Sequence, residues 1–217
     1  MDVKVYQINY DYNQPGGSIF LPYDNSHNNC ERLHNHREYK VFLEAYTNRL
    51  CESGCYTGFV SRKFNKKTGW KGKEFIDRIK RDNFSQQVYF VNCGPTVKDV
   101  WLHGERRHRG ILDLAQQAIR KVGMDVDLST IHRDTSKTCF CNYWVGSSEF
   151  WDRYIDFTEP VYNHLVHDLS PEQREVLYTK ADKGISSGLL PFIMERLFTT
   201  LLCIDGGISY MSIPKHR

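Results

Sequence analysis

The sequence lacks any apolar run close to the roughly 20 residues that a membrane-spanning helix needs. Its first residues, Met1 to Lys4, also lack the apolar core of a secretory signal peptide. The seven cysteines are odd in number and mostly have apolar neighbours, which favours reduced thiols over a disulfide framework. These absences predict a cytoplasmic protein with no transmembrane segment.

Internal repeats, linkers and low-complexity segments are also missing from the 217 residues. A chain of this length fits one domain with a sizeable core. An apolar content of 40% with 25% charged residues is typical of a soluble globular protein. We therefore expect a single domain over residues 1–217.

Acidic residues are scarce in one basic segment. Residues 61–81 contain nine Lys or Arg against two acids, a local excess of +7, although the whole chain carries only +3. Such asymmetry favours a polyanionic partner, such as a nucleotide diphosphate, an acidic glycan or nucleic acid. A solvated Lys-rich loop is the competing interpretation.

Strand-like and helix-like patterns alternate along most of the chain. The predicted strands cover 3–10, 56–60, 87–92 and 139–145, and the predicted helices cover 37–51, 71–81, 96–103, 110–122 and 189–203. A capping box at Ser170 starts another helix. Residues 18–36 have no regular pattern and are predicted to be a long loop. This order predicts an α/β fold with a mixed or mainly parallel sheet flanked by helices.

The stretch 134–157 organises the rest of the chain. Its apolar run 139–145 is predicted to be a strand that breaks at Gly146, and Ser147 or Ser148 caps the helix that follows. A strand that feeds a capped helix places Asn142 at the sheet edge, where α/β proteins usually bind ligands.

This stretch resembles the strand-turn-helix near the end of small GT-A-like glycosyltransferases from bacterial surface-polysaccharide loci, which have related sequences in phages. Three further segments carry the same resemblance: GFVSRKFNKKTG at 58–69, HRGILDLAQ at 108–116 and PFIMERLFTTLL at 191–202. The resemblance implies a single GT-A-like domain that transfers a sugar from a nucleotide-sugar donor to an acceptor hydroxyl. The acceptor is either a surface glycan or a hydroxylated base in DNA, as in phage DNA modification.

GT-A enzymes usually end a core strand with Asp-x-Asp, whose carboxylates hold Mn²⁺ or Mg²⁺ against the donor diphosphate. Here the predicted strand at 87–92 continues as Asn92-Cys93-Gly94, without a carboxylate, and Asp125-Val126-Asp127 follows a helix and is predicted to be a turn. Whether the protein uses a divalent Mn²⁺ or Mg²⁺ cofactor therefore stays open, and no metal ligand is assigned. Basic residues that would neutralise the diphosphate instead are Lys63, Lys67, Arg107 and Arg109.

On this interpretation each candidate residue receives a role. The predicted donor-binding residues are Gln7, Asn9, Asp24, Ser61, Lys63, His108, Arg109 and Gly110. A loop that enters a helix at Gly110 would receive a phosphate through backbone amides, or Gly110 would only permit the turn. Arg109 departs from the resembling family, which has proline at that position. The predicted acceptor-binding residues are Asn142, Lys66, Lys67 and Lys71.

The predicted catalytic carboxylates are Glu195 and Asp134, either of which would polarise the acceptor hydroxyl. Glu195-Arg196 interrupts an otherwise apolar helix, and charged residues are rarely buried unless they are paired. The resemblance favours a catalytic Glu195, because Glu-Arg-Leu occurs there in the family. Physical chemistry alone favours an internal Glu–Arg brace.

Two other classes of protein fit the same sequence. The main alternative is a non-catalytic nucleic-acid-binding protein that uses the basic face of residues 61–81. The other is a sheet-based interaction protein without a ligand.

Overall fold

The computed structural model describes residues 1–10, 19–28, 36–131, 134–178 and 188–216. Its strands are β1 (Asp2–Asn9), β2 (Leu21–Asp24), β3 (Cys55–Ser61), β4 (Val88–Asn92), β5 (Trp144–Gly146) and β6 (Tyr210–Pro214). Its helices are α1 (Arg37–Thr47), α2 (Phe64–Thr68), α3 (Gly72–Arg81), α4 (Val100–Arg107), α5 (Ile111–Lys121), α6 (Ser148–His167), α7 (Pro171–Tyr178) and α8 (Leu190–Ile204). The predicted α/β fold is confirmed.

All six strands join one sheet in the order β2-β1-β3-β5-β4-β6. Only β5 is antiparallel to its neighbours, and the other pairings are parallel, so the predicted mixed sheet is confirmed. The carboxyl ends of β1, β2, β3, β4 and β6 and the amino end of β5 therefore lie along one edge of the sheet. We call this edge the carboxyl edge.

Helices cover both faces of the sheet. Successive side chains of a strand point to opposite faces, so the strands contribute to two separate cores. Trp144 belongs to the large core formed with α1 and α4 to α8, whereas Tyr143 and Val145 belong to a smaller core formed with α2 and α3. The strands β3 and β5 approach closely at Gly58, where a Cβ atom would lie 2.3 Å from the Trp144 carbonyl oxygen. Glycine is required at this crossing.

Predicted caps set several helix boundaries. Ser147 accepts a hydrogen bond from the Phe150 amide at the start of α6, as predicted, and Ser170 accepts one from the Gln173 amide at the start of α7. The predicted helix at 96–103 begins later, because Asp99 accepts hydrogen bonds from the amides of Trp101 and Leu102 and so starts α4 at Val100. The predicted turn at Asp127 is confirmed, since its carboxylate accepts the Ser129 amide.

Two predictions about strands are corrected. The apolar run 139–145 is not one strand, because Cys141 and Asn142 have positive φ angles of 70° and 54°, and β5 begins only at Trp144. Part of the predicted loop at 18–36 is regular, because β2 pairs with β1 and a 3-10 turn follows at Ser26–Asn28. The rest of that loop, at residue 18 and at 29–35, lies outside the described residues.

Among the described helices, none combines the length and the apolar character that crossing a membrane requires.

Candidate functional site

A group of polar and ionisable side chains meets at the centre of the carboxyl edge. It comprises Glu38, Ser61, Lys67, Cys93, Cys141, Tyr143 and Glu195, and we call it the edge cluster. These residues come from α1, β3, α2, the two chain segments that flank β4 and β5, and α8. The sheet order brings them together although they are distant in sequence.

The helix α8 fixes the segment that leads into β5. Glu195 accepts a hydrogen bond from the Cys141 backbone amide, and Thr199 accepts one from the Cys139 amide at 3.1 Å. The Thr199 hydroxyl also donates to the Lys137 carbonyl at 3.1 Å. Glu195 and Thr199 are four residues apart and so share one helix face. Glu195 is half-buried, and its Oε2 atom makes no hydrogen bond with the described residues.

The short helix α2 brings Lys67 to the same place. Its ammonium nitrogen lies 3.3 Å from the Cys141 sulfur and 5.9 Å from the centre of the Tyr143 ring. Burial opposes the charged ammonium, but the nearby Cys141 sulfur and the Glu195 and Glu38 carboxylates outweigh this and raise the Lys67 pKa. The Lys67 residue as a whole is exposed, so it presents a cation to solvent at the carboxyl edge.

Two cysteines lie next to this cation. The Cys93 thiol hydrogen-bonds the Cys141 sulfur, which lowers the pKa of Cys141, and Lys67 acts in the same direction. The same hydrogen bond, together with burial, raises the pKa of Cys93. Of the two thiols, Cys141 is therefore the one that ionises more readily, and Cys93 is its hydrogen-bond donor.

Ser61 and Tyr143 close the side of the cluster that faces β3. The Ser61 hydroxyl oxygen lies 2.6 Å from the Tyr143 hydroxyl. Burial raises the Tyr143 pKa, and the charges of Cys141 and Glu38 add to this effect. The phenol therefore stays neutral and available as a hydrogen-bond donor.

An open groove adjoins the edge cluster beyond Cys93. Its volume is about 640 Å³, and its walls are formed by Asn92, Pro95, Ser212, Pro214, Lys215 and His216. The end of β6 is held in place because Trp70 donates its indole N–H to the Pro214 carbonyl at 2.8 Å and the His216 amide donates to the Thr68 carbonyl at 2.9 Å. The groove has the size of ordinary small-molecule sites.

Arg196 is a structural brace, but it is not paired with Glu195 as the sequence suggested. It is 3% exposed, and its guanidinium donates to the Val100 carbonyl at 2.9 Å and to the Phe192 carbonyl at 2.7 Å. A Cβ atom at Gly104 would lie 2.6 Å from the Arg196 Nε atom, so the close packing of α4 on α8 depends on glycine there. The two alternatives for Glu195-Arg196 therefore divide between the residues: Arg196 braces and Glu195 faces the cluster.

Asp134, the alternative catalytic carboxylate, lies elsewhere. It is exposed and accepts hydrogen bonds from the amide and the hydroxyl of Ser136. These bonds cap the short 3-10 turn Thr135–Lys137. Burial raises the pKa of Cys203, and the Asp134 charge adds to this effect, so Asp134 lies near Cys203. Cys203 is eight residues beyond Glu195 on α8 and so about 12 Å along the helix. The structure does not bring Asp134 and Glu195 together.

The predicted donor residues of the first two strands lie at the carboxyl edge, beside the cluster. Gln7 donates its side-chain amide to the Asn9 side chain at 3.1 Å, and the register places Ile8 next to Ser61. Asp24 is exposed and accepts the Ser26 amide at 2.9 Å. Gln7 and Asn9 therefore adjoin Ser61, whereas Asp24 closes a turn at the outer strand.

The helix N-terminus at Gly110 is already supplied with an anion. The Glu105 carboxylate accepts hydrogen bonds from the Gly110 amide at 2.8 Å and from the Leu112 amide at 3.1 Å. His108 is buried and stacks on Phe192 at 4.0 Å between ring centres, while Arg109 is exposed. Glu105 thus binds the backbone amides that were predicted to bind a donor phosphate.

The remaining predicted residues do not share the position of Lys67. Lys63 and Lys66 are exposed on α2 and its preceding turn, and Lys71 is 81% exposed and lies 4.0 Å from Glu74. Asn142 is only 7% exposed, and its side-chain oxygen is buried without a hydrogen-bond partner among the described residues. Of the predicted lysines, only Lys67 contacts the edge cluster.

The turns that follow β3 and β4 contain no carboxylate that could bind a divalent cation. The turn after β3 reads Ser61-Arg62-Lys63 and the turn after β4 reads Cys93-Gly94-Pro95, so neither supplies a carboxylate. In the described part of the chain, no three His, Cys, Asp or Glu side chains converge on a point that would hold a metal ion. The positive charge present in the edge cluster is that of Lys67.

Sequence reasoning selected Ser61, Lys67 and Glu195 but missed four members of the edge cluster. These are Glu38, Cys93, Cys141 and Tyr143. An acidic residue in the first turn of a helix, such as Glu38 in α1, is explained by the helix dipole alone and gives no signal of a site. Cys93 and Cys141 become neighbours only through the antiparallel pairing of β4 with β5.

No protein-family model and no curated protein sequence matches this chain. Among solved structures, the apo form of WbbM, a bifunctional glycosyltransferase, matches with a TM-score of 0.61 at 14% sequence identity. The match covers 99% of this chain and 45% of WbbM, so the chain spans less than half the length of that protein. At this identity the likeness shows a shared fold: the mixed six-stranded sheet and its helices match the fold of a glycosyltransferase.

Proposed function

We propose that this protein transfers a sugar from a nucleotide-sugar donor to an acceptor hydroxyl, and that the edge cluster is its active site. The observation that carries the proposal is the convergence of Lys67 and Glu195 on the Cys141 segment at the carboxyl edge. Ligands of open α/β sheets bind outside the carboxyl ends of the strands. The glycosyltransferase-like fold supports the same class of reaction.

Lys67 is the group that would bind the donor diphosphate. Its charge is maintained by the Cys141 sulfur, Glu195 and Glu38, so the ammonium is positive before a ligand arrives. A diphosphate that leaves a sugar carries growing negative charge, and a fixed cation stabilises that charge in the transition state. The groove lined by Lys215 and His216 provides space for the rest of the donor.

Glu195 is the group that would activate the acceptor. Its Oε1 atom is held by the Cys141 amide, which leaves Oε2 to accept a hydrogen bond from an acceptor hydroxyl. In the transfer step the acceptor oxygen forms a bond to the anomeric carbon while the bond from that carbon to the diphosphate oxygen breaks. The acceptor proton passes to Glu195, and the nucleotide diphosphate leaves beside Lys67.

Calorimetric titration of the protein with UDP-, GDP-, CMP- and dTDP-sugars, with and without Mn²⁺, tests the proposal. We expect one nucleotide class to bind, and Lys67→Gln to weaken that binding at least about tenfold. The matched control is Lys66→Gln, which removes the adjacent exposed lysine of the same helix. Binding of none of these donors, in either condition, would overturn the proposal.

A non-catalytic nucleic-acid-binding protein is the second candidate, and the exposed basic face of α2 and α3 favours it. Lys71 and Lys73 are 81% and 73% exposed, and both lie on this face. Their acidic partners weaken the case, because Lys73 lies 2.5 Å from Asp77 and Lys71 lies 4.0 Å from Glu74. The same face would meet a DNA acceptor if the sugar were transferred to a base.

A further inference from the structure

The pairing of β4 with β5 brings the chain segments that carry Cys93 and Cys141 side by side at the carboxyl edge. Phe90 pairs with Trp144, and the Val91 amide donates to the Tyr143 carbonyl at 2.9 Å. Beyond Tyr143 the chain leaves the strand at the left-handed residues Asn142 and Cys141, and the segment before β5 packs on the segment that follows β4. A Cβ atom at Gly94 would lie 2.6 Å from the Phe140 ring and 2.9 Å from the Thr138 side chain, so the two segments are in close contact next to Cys93 and Cys141.

Both cysteines are free thiols. The Cys93 thiol hydrogen-bonds the Cys141 sulfur, and the Lys67 ammonium lies 3.3 Å from the same sulfur. Both cysteines are partly exposed, whereas Cys51 and Cys139 are buried. A small oxidant therefore reaches this pair from the carboxyl edge, and it meets the Cys141 sulfur, whose thiolate form the Lys67 cation stabilises from 3.3 Å.

We propose that Cys93 and Cys141 are a redox-modification site that forms a disulfide with a small peroxide. The Cys141 sulfur attacks one peroxide oxygen, the S–O bond forms, the O–O bond breaks, and the departing hydroxide takes up a proton as water. The Cys93 sulfur then attacks the Cys141 sulfur, the S–S bond forms, and the S–O bond breaks with release of a second water. Two thiols lose two electrons and two protons, and one hydrogen peroxide becomes two waters.

Oxidation changes the charge that faces Lys67. A disulfide sulfur cannot ionise, so the ammonium loses the possibility of an anionic partner at 3.3 Å. This consequence rests on the proposed function: if Lys67 binds the donor diphosphate, the thiolate competes with the donor, and oxidation removes the competitor. We expect the oxidised protein to bind the nucleotide sugar about two- to fivefold more tightly, the scale of a partly exposed ion pair.

Peptide mapping after peroxide treatment tests the modification without reference to activity. The reduced, folded protein is treated with hydrogen peroxide, its remaining thiols are alkylated, and it is digested with trypsin without reductant. Cys93 falls in the peptide 82–98, and Cys141 falls in the peptide 138–153 together with Cys139. We expect these two peptides to be linked, with fragmentation assigning the bond to Cys141.

Two variants serve as matched controls. Cys93→Ser should stop the reaction at a Cys141 sulfenic acid that dimedone traps, and Cys55→Ser, which removes another partly exposed cysteine, should leave the link unchanged. Absence of the 93–141 link in a protein that remains folded by circular dichroism would overturn the proposal. Formation of the link without any donor binding would keep the modification site and reject the proposed function instead.

Discussion

Glu195 on α8 accepts a hydrogen bond from the backbone amide of Cys141, three residues before β5 begins. This bond gives Glu195 two separable roles, because one oxygen positions the chain while the other faces the carboxyl edge. Substitutions that keep or remove the acceptor oxygen distinguish the two roles.

Glu195→Gln should retain the fold and donor binding while the transfer rate falls about 100-fold or more. Glutamine keeps an oxygen for the Cys141 amide but cannot take up the acceptor proton. Glu195→Ala should in addition lower the free energy of unfolding by about 1–3 kcal/mol, because it leaves that amide unpaired. Single-turnover transfer assays and urea denaturation measure the two effects. The control is Glu149→Gln, which makes the same change at an exposed position. Full transfer by Glu195→Gln would show that Glu195 only positions Cys141.

Cys141→Ser should change donor binding through Lys67 and not through the fold. The serine hydroxyl stays neutral, so Lys67 loses an anionic neighbour that raises its pKa. We expect the Lys67 pKa to fall, because burial then acts with one less opposing charge. As the pH rises, Lys67 should therefore lose its proton, and the donor its affinity, at a lower pH than in the unchanged protein. Donor titrations between pH 7 and pH 10 check this order. Identical pH profiles would mean that the Cys141 charge does not act on Lys67.

Glu105 occupies the position at the start of α5 where a donor phosphate was predicted, so substituting Glu105 tests whether Gly110 has a structural role or a phosphate-binding role. Glu105→Ala removes the acceptor for the amides of Gly110 and Leu112, and we expect unfolding to become easier by about 0.5–2 kcal/mol with donor affinity unchanged. Urea denaturation and donor titration are the two measurements. Asp113→Ala, in the first turn of the same helix, is the control for a general loss of negative charge. A weaker donor with unchanged stability would restore the phosphate role of Gly110.

Acid should destabilise the fold through His103. Burial lowers the pKa of His103 below its ordinary 6.5, and the neighbouring charges of Arg196 and Arg107 lower it further. Below pH 6.5 the unfolded chain therefore binds more protons at this residue than the folded chain, so the stability present above pH 6.5 is lost as the pH falls through the folded pKa. His103→Leu should flatten the decline of the melting temperature between pH 7 and pH 5. His167→Leu, at an exposed position, should leave it steep.

Periodicity was sufficient to predict most regular elements. The predicted helix at 110–122 is α5, Ile111–Lys121, and the predicted strand at 87–92 is β4, Val88–Asn92, because each has a strong apolar pattern and a clear boundary. The start of β5 could not be predicted, since the left-handed backbone of Cys141 is uncommon for that residue type and follows from its tertiary setting. The strand β2 has only four residues and exists through its pairing with β1.

The charged residues of the site were predictable where their charge stood out in the sequence. Glu195 was conspicuous as an acid within an apolar helix, and Lys67 belonged to a basic segment. Asp134 had equal standing in the sequence, yet the structure places it near Cys203 and not near Glu195. The choice between such carboxylates depends on which sheet edge each helix and turn reaches, and no local pattern records that.

The basic face of α2 and α3 allows a direct test between the two candidate functions. A nucleic-acid-binding protein should retain duplex DNA with an affinity that falls steeply as salt rises, because each phosphate contact releases counterions. The double reversal Lys66→Glu and Lys71→Glu should abolish that retention while leaving nucleotide-sugar binding intact, since neither lysine contacts the edge cluster. Lys67→Glu should do the opposite and abolish donor binding. Filter binding at low and physiological salt and calorimetry with the donor measure the two activities on the same variants.

If the double reversal loses both DNA binding and donor binding, the two ligands share one continuous surface, as a sugar transferase with a DNA acceptor requires. No retention of DNA by the unchanged protein, even at low salt, would assign the acceptor to a glycan.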